Sequence, residues 1–179
     1  MILVVSTCRY SLSEEEFVRP IAEIVGSCGF EFDLVRYGER IEPEEYSHVI
    51  VCGTALRDFE YLNHIENFSR LLDYDGAVLG ICAGYQILAK LFSNEPTNIR
   101  KIGVYDVKII GKNPLMDRDA RAYFLHKLAL KDVNKNLEPL AVQDDEICMF
   151  KVNGRDFYGV SFHPEVLNPE LIENFLRNL

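Results

Sequence analysis

The sequence lacks the features of several classes of protein. Basic residues are not in excess, since 19 lysines and arginines face 28 aspartates and glutamates and the net charge is −9. Domains that bind nucleic acid usually carry a basic excess, so we expect no nucleic-acid partner. No apolar run has the length of a membrane-spanning helix, and residues 1–5 are too short and too poor in basic residues for a signal sequence. We therefore expect a cytoplasmic protein that does not contact membranes.

The five cysteines lack the spacing of a metal site or of a disulfide framework. Their number is odd, they are widely separated, and no Cys-x-x-Cys pair occurs. Closely spaced pairs are typical of zinc sites and of small disulfide-rich domains. We therefore predict no metal site, and we interpret Cys8, Cys28 and Cys148 as apolar core side chains. A Gly-x-x-x-x-Gly-Lys loop for nucleotide phosphates is also missing.

The first half of the sequence alternates between strand-like and helix-like segments. Ser13 and Glu16 form a capping-box pattern that predicts the start of the first helix. Such alternation indicates right-handed crossovers, so we predict an open, mostly parallel sheet with helices on both faces. The predicted strands lie at residues 2–6, 30–37, 48–52 and 76–81, and the predicted helices at residues 13–25, 59–72 and 85–92.

After Gly103 the pattern changes to short β-rich segments. Asn153-Gly154 is typical of a hairpin turn between two of them. We therefore predict a small antiparallel β extension in the second half of this α/β fold. A helix near residues 169–179 ends the sequence and no linker or repeat divides it, so we expect a single domain over residues 1–179. The β-rich segments lie at residues 104–110, 122–125, 137–143, 147–152 and 157–162.

The most informative segment is residues 78–86, Val-Leu-Gly-Ile-Cys-Ala-Gly-Tyr-Gln. A buried strand leads into Gly-x-Cys-x-Gly and then into a helix, which is the layout of a nucleophile elbow with Cys82 at the turn. The helix N-terminus favours the thiolate of Cys82, and the backbone N–H of Ala83 is a candidate donor to an oxyanion. The pattern taken alone is equally compatible with a core cysteine between two glycines that allow close packing.

A second segment, residues 159–165, supplies a base. Its sequence is Gly-Val-Ser-Phe-His-Pro-Glu, so a strand delivers His163 to its carboxyl end, where ligand sites of open α/β sheets collect. His163 and Glu165 are two positions apart in extended backbone, which predicts that their side chains point the same way. Alone the segment could be a surface turn. Together the two segments provide a nucleophile, a base and a carboxylate that orients the base.

Both segments resemble the motifs of the class I (triad) glutamine amidotransferases, Gly-Ile-Cys-x-Gly-x-Gln and Gly-Val-Gln-Phe-His-Pro-Glu. The resemblance extends over nearly the whole sequence and implies a flavodoxin-like fold. It implies that Cys82 is the nucleophile, His163 the general base and acid, and Glu165 its orienter. It also assigns Gln86 to the glutamine pocket. His126 matches the histidine of the family's Ser-His substrate segment, although a leucine replaces the serine here.

The sequence departs from the family pattern in the loop after the third strand. The family usually has Gly-Gly-Pro there, whereas residues 52–55 read Cys-Gly-Thr-Ala. By the resemblance, the oxyanion hole is formed by backbone N–H groups near Gly53 and Ala83, and Thr54 lies beside the substrate. Ser161 also stands where the family has glutamine. Residues 163–166, His-Pro-Glu-Val, resemble the glutaminase part of GMP synthases more than the anthranilate or imidazole glycerol phosphate synthase subunits.

The implied function is hydrolysis of L-glutamine to glutamate and ammonia through a thioester on Cys82. This chemistry requires no metal and no organic cofactor. Because the sequence has no nucleotide-binding loop, we expect ammonia to pass to a separate synthetase subunit. Two alternatives remain open at this point. One is a γ-glutamyl hydrolase or peptidase, which the altered loop favours, and the other is a catalytically silent regulatory subunit on the same scaffold.

Overall fold

The computed structural model describes all 179 residues, and its nine strands form one sheet. Across the sheet the strands lie in the order β2-β1-β3-β4-β9-β8-β7-β5-β6. In chain order they are β1 (Ile2–Ser6), β2 (Phe32–Arg36), β3 (His48–Val51), β4 (Ala77–Ile81), β5 (Thr97–Ile109), β6 (Ala120–Ala129), β7 (Leu137–Gln143), β8 (Glu146–Val152) and β9 (Phe157–Val160).

Five helices and one 3₁₀ segment accompany these strands, and the last two helices follow β9. The 3₁₀ segment spans Glu60–Leu72 and is bent at His64. None of the helices is both long enough and apolar enough to cross a membrane. The helices are α1 (Ser11–Phe17), α2 (Arg19–Ser27), α3 (Ala83–Leu91), α4 (Pro164–Leu167) and α5 (Pro169–Asn178).

The sheet is parallel on one side and antiparallel on the other, which confirms the predicted class of fold. Strands β2, β1, β3, β4 and β9 run parallel, and β8, β7, β5 and β6 continue the sheet in antiparallel pairs. The antiparallel part is larger than the sequence pattern indicated, because β5 begins at Thr97 rather than near residue 104. The predicted turn at Asn153-Gly154 joins the antiparallel strands β8 and β9.

Apolar side chains bury both faces of the inner parallel strands β1, β3, β4 and β9. One core packs α1, α2 and α5 against one face, with Phe17, Ile21 and Phe175 among its members. The other packs the 3₁₀ segment and α3 against the opposite face, with Phe68 and Leu88 among its members. Alternate residues of a strand point to opposite faces, so each buried strand contributes to both cores.

Two local predictions in the first half were wrong. The capping box at Ser13 does not exist, because α1 already begins at Ser11 and its preceding residue, Tyr10, makes no side-chain cap. Glu14 instead accepts a hydrogen bond from Ser6 at 2.7 Å, which ties the helix to the end of β1. The segment predicted as a helix over residues 59–72 is of the tighter 3₁₀ type, interrupted at His64.

The parallel strands bring the candidate residues to one edge of the sheet. Neighbouring parallel strands end on the same side, and in open α/β sheets ligands bind there. Thr7 follows β1, Gly53 follows β3 and Cys82 follows β4 directly. His163 comes three residues after the end of β9, the strand paired with β4.

Candidate active site

Cys82 lies on a strained turn between β4 and α3. Its φ of 50° and ψ of −93° place a non-glycine residue in a region that L-amino acids rarely adopt. The flanking glycines permit close packing. A Cβ on Gly80 would lie 2.5 Å from the backbone of Gly84, and a Cβ on Gly84 would lie 2.2 Å from the carbonyl oxygen of Val51. Packing explains the glycines, but it does not require the strained φ at Cys82, which is typical of a nucleophile elbow.

His163 and Glu165 form a buried ion pair. Nδ1 of His163 lies 2.7 Å from Oε1 of Glu165, and their side chains are 1% and 2% exposed. The sequence predicted that extended backbone would point these two side chains the same way. That reason was wrong, because the backbone is not extended through both residues. His163 precedes α4 with φ −104° and ψ 91°, and Glu165 lies in the first turn of that helix. The turn into α4 therefore brings the carboxylate back onto the imidazole.

Packing around His163 fixes the position of its ring. Its backbone N–H donates to the carbonyl of Tyr123 at 2.8 Å. The rings of Phe17 and Tyr123 flank the imidazole, with centroids 5.5 and 6.3 Å from it. Nε2 has no aligned hydrogen-bond partner in the protein.

The charges around His163 favour its protonated form. Burial alone lowers the pKa of His163, but the negative charges of Cys82 and Glu165 outweigh burial and hold that pKa well above its usual value. The thiol of Cys82 is 3.6 Å from the carbonyl oxygen of Leu125. The arrangement is suited to a thiolate and imidazolium pair, which is the reactive form of a cysteine nucleophile.

Gly53 packs directly against the side chains of Cys82 and His163. A Cβ at this position would lie 2.7 Å from Cε1 of His163 and 3.2 Å from Cβ of Cys82. The backbone N–H groups of Gly53 and Thr54 donate to no acceptor in the protein, and that of Ala83 opens α3, where the first N–H groups have no partner within the helix. Free N–H groups on both sides of a nucleophilic sulfur can stabilise an oxyanion that forms there.

The cavity beside Cys82 is narrow. Its volume is about 10 Å³, at the limit for a single water molecule and too small for glutamine. It adjoins a larger open cleft of about 620 Å³, and the residues shared by the two are Ala55, Asp58 and Phe59. A molecule of glutamine's size fits beside the sulfur only if this boundary moves.

The residues assigned to substrate line the small cavity, but their side chains already have protein partners. Gln86 Oε1 accepts a hydrogen bond from Tyr61, and Gln86 Nε2 donates to the carbonyl of Leu128 at 3.0 Å. Thr54 Oγ1 donates to Asp58 at 2.9 Å. The His126 ring contacts the carbonyl of Ile99 and the carboxylate of Glu146, at 3.1 and 3.0 Å. His126 thus lines the cavity, and both of its ring nitrogens are engaged elsewhere.

A buried charged network behind β6 was not predicted from the sequence. Glu146 is fully buried, and its two carboxylate oxygens lie 3.0 Å from His126 Nε2 and 3.1 Å from Lys101 Nζ, at ion-pair distance but without hydrogen-bond alignment. Ser161 donates a hydrogen bond to the same carboxylate. Burial raises the pKa of Glu146, but the neighbouring His126 and Lys101 and the hydrogen bond from Ser161 lower it to below its usual value. Ser161, which stands where the family has glutamine, was the sequence feature that could have indicated this network.

Known proteins are similar to this chain over most of its length. The family model for glutamine amidotransferase class-I matches residues 13–179. A subunit of GMP synthase (glutamine-hydrolyzing) from Methanosphaera stadtmanae is 31% identical over 143 residues, which cover 74% of this chain and 77% of that protein. GMP synthase (glutamine-hydrolyzing) from Phenylobacterium zucineum is 30% identical over 118 residues, 61% of this chain but only 23% of that longer protein.

A solved structure supports the fold independently. A Thermoplasma acidophilum protein, provisionally assigned as a GMP synthase component, superimposes with a TM-score of 0.83. The match covers 98% of this chain and 92% of that one at 17% identity. At this identity the likeness shows the fold alone.

Proposed function

Because the chain belongs to the class I glutamine amidotransferase family, we propose that it is a glutaminase with Cys82, His163 and Glu165 as its triad. One observation carries this proposal. The strained cysteine follows β4, the buried His163–Glu165 pair follows the adjacent strand β9, and Gly53 packs against the side chains of both Cys82 and His163. We further propose that residues 1–179 act as a single domain.

The proposed reaction is acyl transfer in two stages. The Cys82 thiolate attacks the side-chain amide carbon of glutamine, and the N–H groups at Gly53 and Ala83 stabilise the oxyanion. Protonated His163 gives its proton to the departing ammonia as the C–N bond breaks, which leaves a thioester. His163 then takes a proton from water, whose oxygen attacks the thioester and releases glutamate. Glu165 orients the imidazole throughout. No step needs a metal or an organic cofactor.

The residues that surround the substrate follow from the lining of the small cavity. We propose that Thr54 and Gln86 contact glutamine once the boundary with the outer cleft opens. His126 is held by Glu146 and by the carbonyl of Ile99. Its contribution is therefore to hold β6, whose Leu125 lies against Cys82.

We propose that the released ammonia passes to a separate synthetase subunit. The chain spans 23% of one full GMP synthase and 77% of a relative that is a single GMP synthase subunit, and its family model is that of the class-I glutamine amidotransferases, which supports a role as the glutamine-hydrolysing part. GMP synthesis is the acceptor reaction that these relatives favour. Neither a γ-glutamyl peptidase nor a silent subunit is supported by the relatives.

The proposal is tested by ammonia and glutamate release from glutamine, measured for the wild type, Cys82→Ala and Cys28→Ala. Cys28 is half-buried and lies at the end of α2, so it serves as the matched control. We expect loss of release in Cys82→Ala only. Release that persists in Cys82→Ala would exclude Cys82 as the nucleophile. If the wild type alone is inactive, the same three proteins are assayed with a GMP synthetase subunit, and continued inactivity there would reject the glutaminase.

A further inference from the structure

The loop after β3 is held by a side chain from the neighbouring strand end. Thr7 follows β1 and is fully buried. Its hydroxyl donates to the carbonyl oxygens of Cys52 and Gly53, at 3.0 and 3.1 Å. The thiol of Cys8 adds a weaker contact to the Gly53 carbonyl at 3.8 Å. The Gly53 carbonyl is therefore fixed toward the β1 side of the loop.

The position of this carbonyl determines where the next N–H points. The chain has no cis peptide bond, so the C=O of Gly53 and the N–H of Thr54 point in opposite directions from one planar peptide. The Thr54 N–H thus points away from Thr7, and it donates to no acceptor in the protein. Thr54 lines the small cavity together with Cys82 and Ala83.

A second tie holds the other side of the same peptide. Asp58 Oδ2 accepts hydrogen bonds from Thr54 Oγ1 at 2.9 Å and from the Arg9 N–H at 2.7 Å. The loop is thus attached to the β1–α1 segment on both sides of the Gly53–Thr54 peptide. Residues 53–55 contain no proline, so these hydrogen bonds, rather than a ring, restrict the backbone.

We propose that Thr7 is a positioning residue that orients the Gly53–Thr54 peptide, so that the Thr54 N–H stabilises the oxyanion formed at Cys82. This inference rests on the proposed glutaminase activity and adds a third N–H group to Gly53 and Ala83. Thr7 does not touch the substrate. It acts through the carbonyl that it holds, and losing its hydroxyl frees the peptide to rotate.

The test separates oxyanion stabilisation from the reactivity of the thiolate. Thr7→Val has nearly the same shape but no donor, and Thr7→Ser keeps the donor as the matched rescue variant. Turnover of glutamine passes through an oxyanion. Alkylation of Cys82 by iodoacetamide displaces iodide directly and forms none. A chloromethyl ketone analogue of glutamine, which reacts through a tetrahedral adduct, reports on oxyanion stabilisation without turnover.

We expect Thr7→Val to lower kcat by at least about tenfold, approaching the roughly 10²- to 10³-fold loss known for removal of one oxyanion donor. KM stays within about threefold, because the interaction is made only in the transition state. Labelling by the chloromethyl ketone slows in parallel with kcat, iodoacetamide alkylation keeps its wild-type rate, and Thr7→Ser recovers most of the activity.

Two results would overturn the inference. One is a wild-type kcat in Thr7→Val, and the other is a parallel loss of kcat and of iodoacetamide alkylation, which indicates general damage to the site. If Thr7→Val does not fold, Thr54→Val removes the tie to Asp58 and must show the same split between kcat and alkylation. Failure of the glutaminase proposal is distinguishable, because the wild type itself would then neither turn over glutamine nor be labelled by the ketone.

Discussion

The α-carbon of Gly53 lies so close to His163 that a Cβ attached to it would be 2.7 Å from Cε1 of the imidazole. Real Cβ atoms do not approach other heavy atoms this closely, so any side chain here must move the histidine. The same Cβ would lie 3.2 Å from Cβ of Cys82. The glycine of this loop is thus required by the space between Cys82 and His163, the proposed nucleophile and base.

We predict that Gly53→Ala lowers kcat for glutamine by about 10²-fold, because displacement of a catalytic group by about 1 Å can cost that much. The fold should persist, since the atom displaced is the end of a side chain. Gly26→Ala is the matched control, because Gly26 lies in α2 with no atom within 4 Å of an added Cβ. Steady-state kinetics and thermal unfolding check both variants. Wild-type kcat in Gly53→Ala would contradict the predicted displacement of His163.

A second prediction concerns the charge of Glu165. Burial lowers the pKa of His163, and the charges of Cys82 and Glu165 raise it by more than burial lowers it. Glu165→Gln removes one of the two raising charges, so the pKa of His163 falls. The imidazolium is lost as pH rises through this pKa, and in the variant the loss comes at lower pH. The alkaline limb of the pH profile of kcat should therefore shift to lower pH.

This shift is checked by comparing pH profiles of turnover and of Cys82 alkylation for Glu165→Gln and for Glu170→Gln. Glu170 is exposed in the first turn of α5 and serves as the control carboxylate. Because folding raises the pKa of His163, protonation of this residue also stabilises the fold. The stabilisation is fully present at pH values below the pKa in the unfolded chain, and it is lost as the pH rises through the higher pKa in the folded chain. An alkaline limb that stays in place in Glu165→Gln would show that this carboxylate does not set the protonation of His163.

The third prediction concerns the buried network of Glu146. Glu146→Gln leaves the Lys101 ammonium, which is 8% exposed, without its carboxylate. Breaking a buried pair by removing one partner costs about 3–5 kcal/mol of unfolding free energy. The double variant Lys101→Met/Glu146→Gln removes the unpaired charge and should recover part of this loss. Urea unfolding measures all three proteins, and equal stability of Glu146→Gln and the wild type would contradict the role of the pair.

The same network gives a pH dependence with a definite sign. The folded state holds the pKa of Glu146 below its usual value. Its carboxylate therefore adds stability above the unfolded pKa, and this stability is lost as the pH falls below about 4. In Glu146→Gln the acid-induced loss of stability in this range should be smaller than in the wild type. Urea midpoints measured between about pH 3 and pH 6 check this difference.

Periodicity predicted the parallel half of the fold well because buried parallel strands are continuous apolar runs. Ile2–Ser6 and Ala77–Ile81 are buried at every position, and the sequence placed them within a residue of their true bounds. The long strands β5 and β6 were underestimated. Exposed and buried residues alternate along Thr97–Ile109, so half of its side chains are polar and the pattern before residue 104 resembles a loop.

The predicted triad comes from local motifs, whereas the residues that support it come from tertiary contacts. Cys82 and His163 each stand in a recognisable short pattern. Thr7, Asp58 and Glu146 do not, because their partners are distant in sequence: Thr7 bonds to residue 53 and Asp58 to residue 9. A buried threonine or carboxylate has no periodic signal of its own. The pairing of β1 with β3 brings Thr7 to Gly53, and the tertiary contact between β8 and β6 brings Glu146 to His126.

The last prediction concerns access to Cys82. Phe59 lines both the cavity of about 10 Å³ and the outer cleft of about 620 Å³, whereas Leu62 lines only the cleft. Both side chains are half-buried, so Leu62→Ala is a matched control for Phe59→Ala. Phe59→Ala removes a side chain from the boundary between the cavity and the cleft. If this change lowers the free energy of the open form relative to the closed form by about 1.4 kcal/mol, the open form becomes tenfold more populated. Iodoacetamide should then alkylate Cys82 about tenfold faster in Phe59→Ala, while Leu62→Ala keeps the wild-type rate. Equal acceleration in both variants would indicate general loosening of the 3₁₀ segment, and no acceleration would locate the barrier on the β6 side, at Leu125 to Lys127.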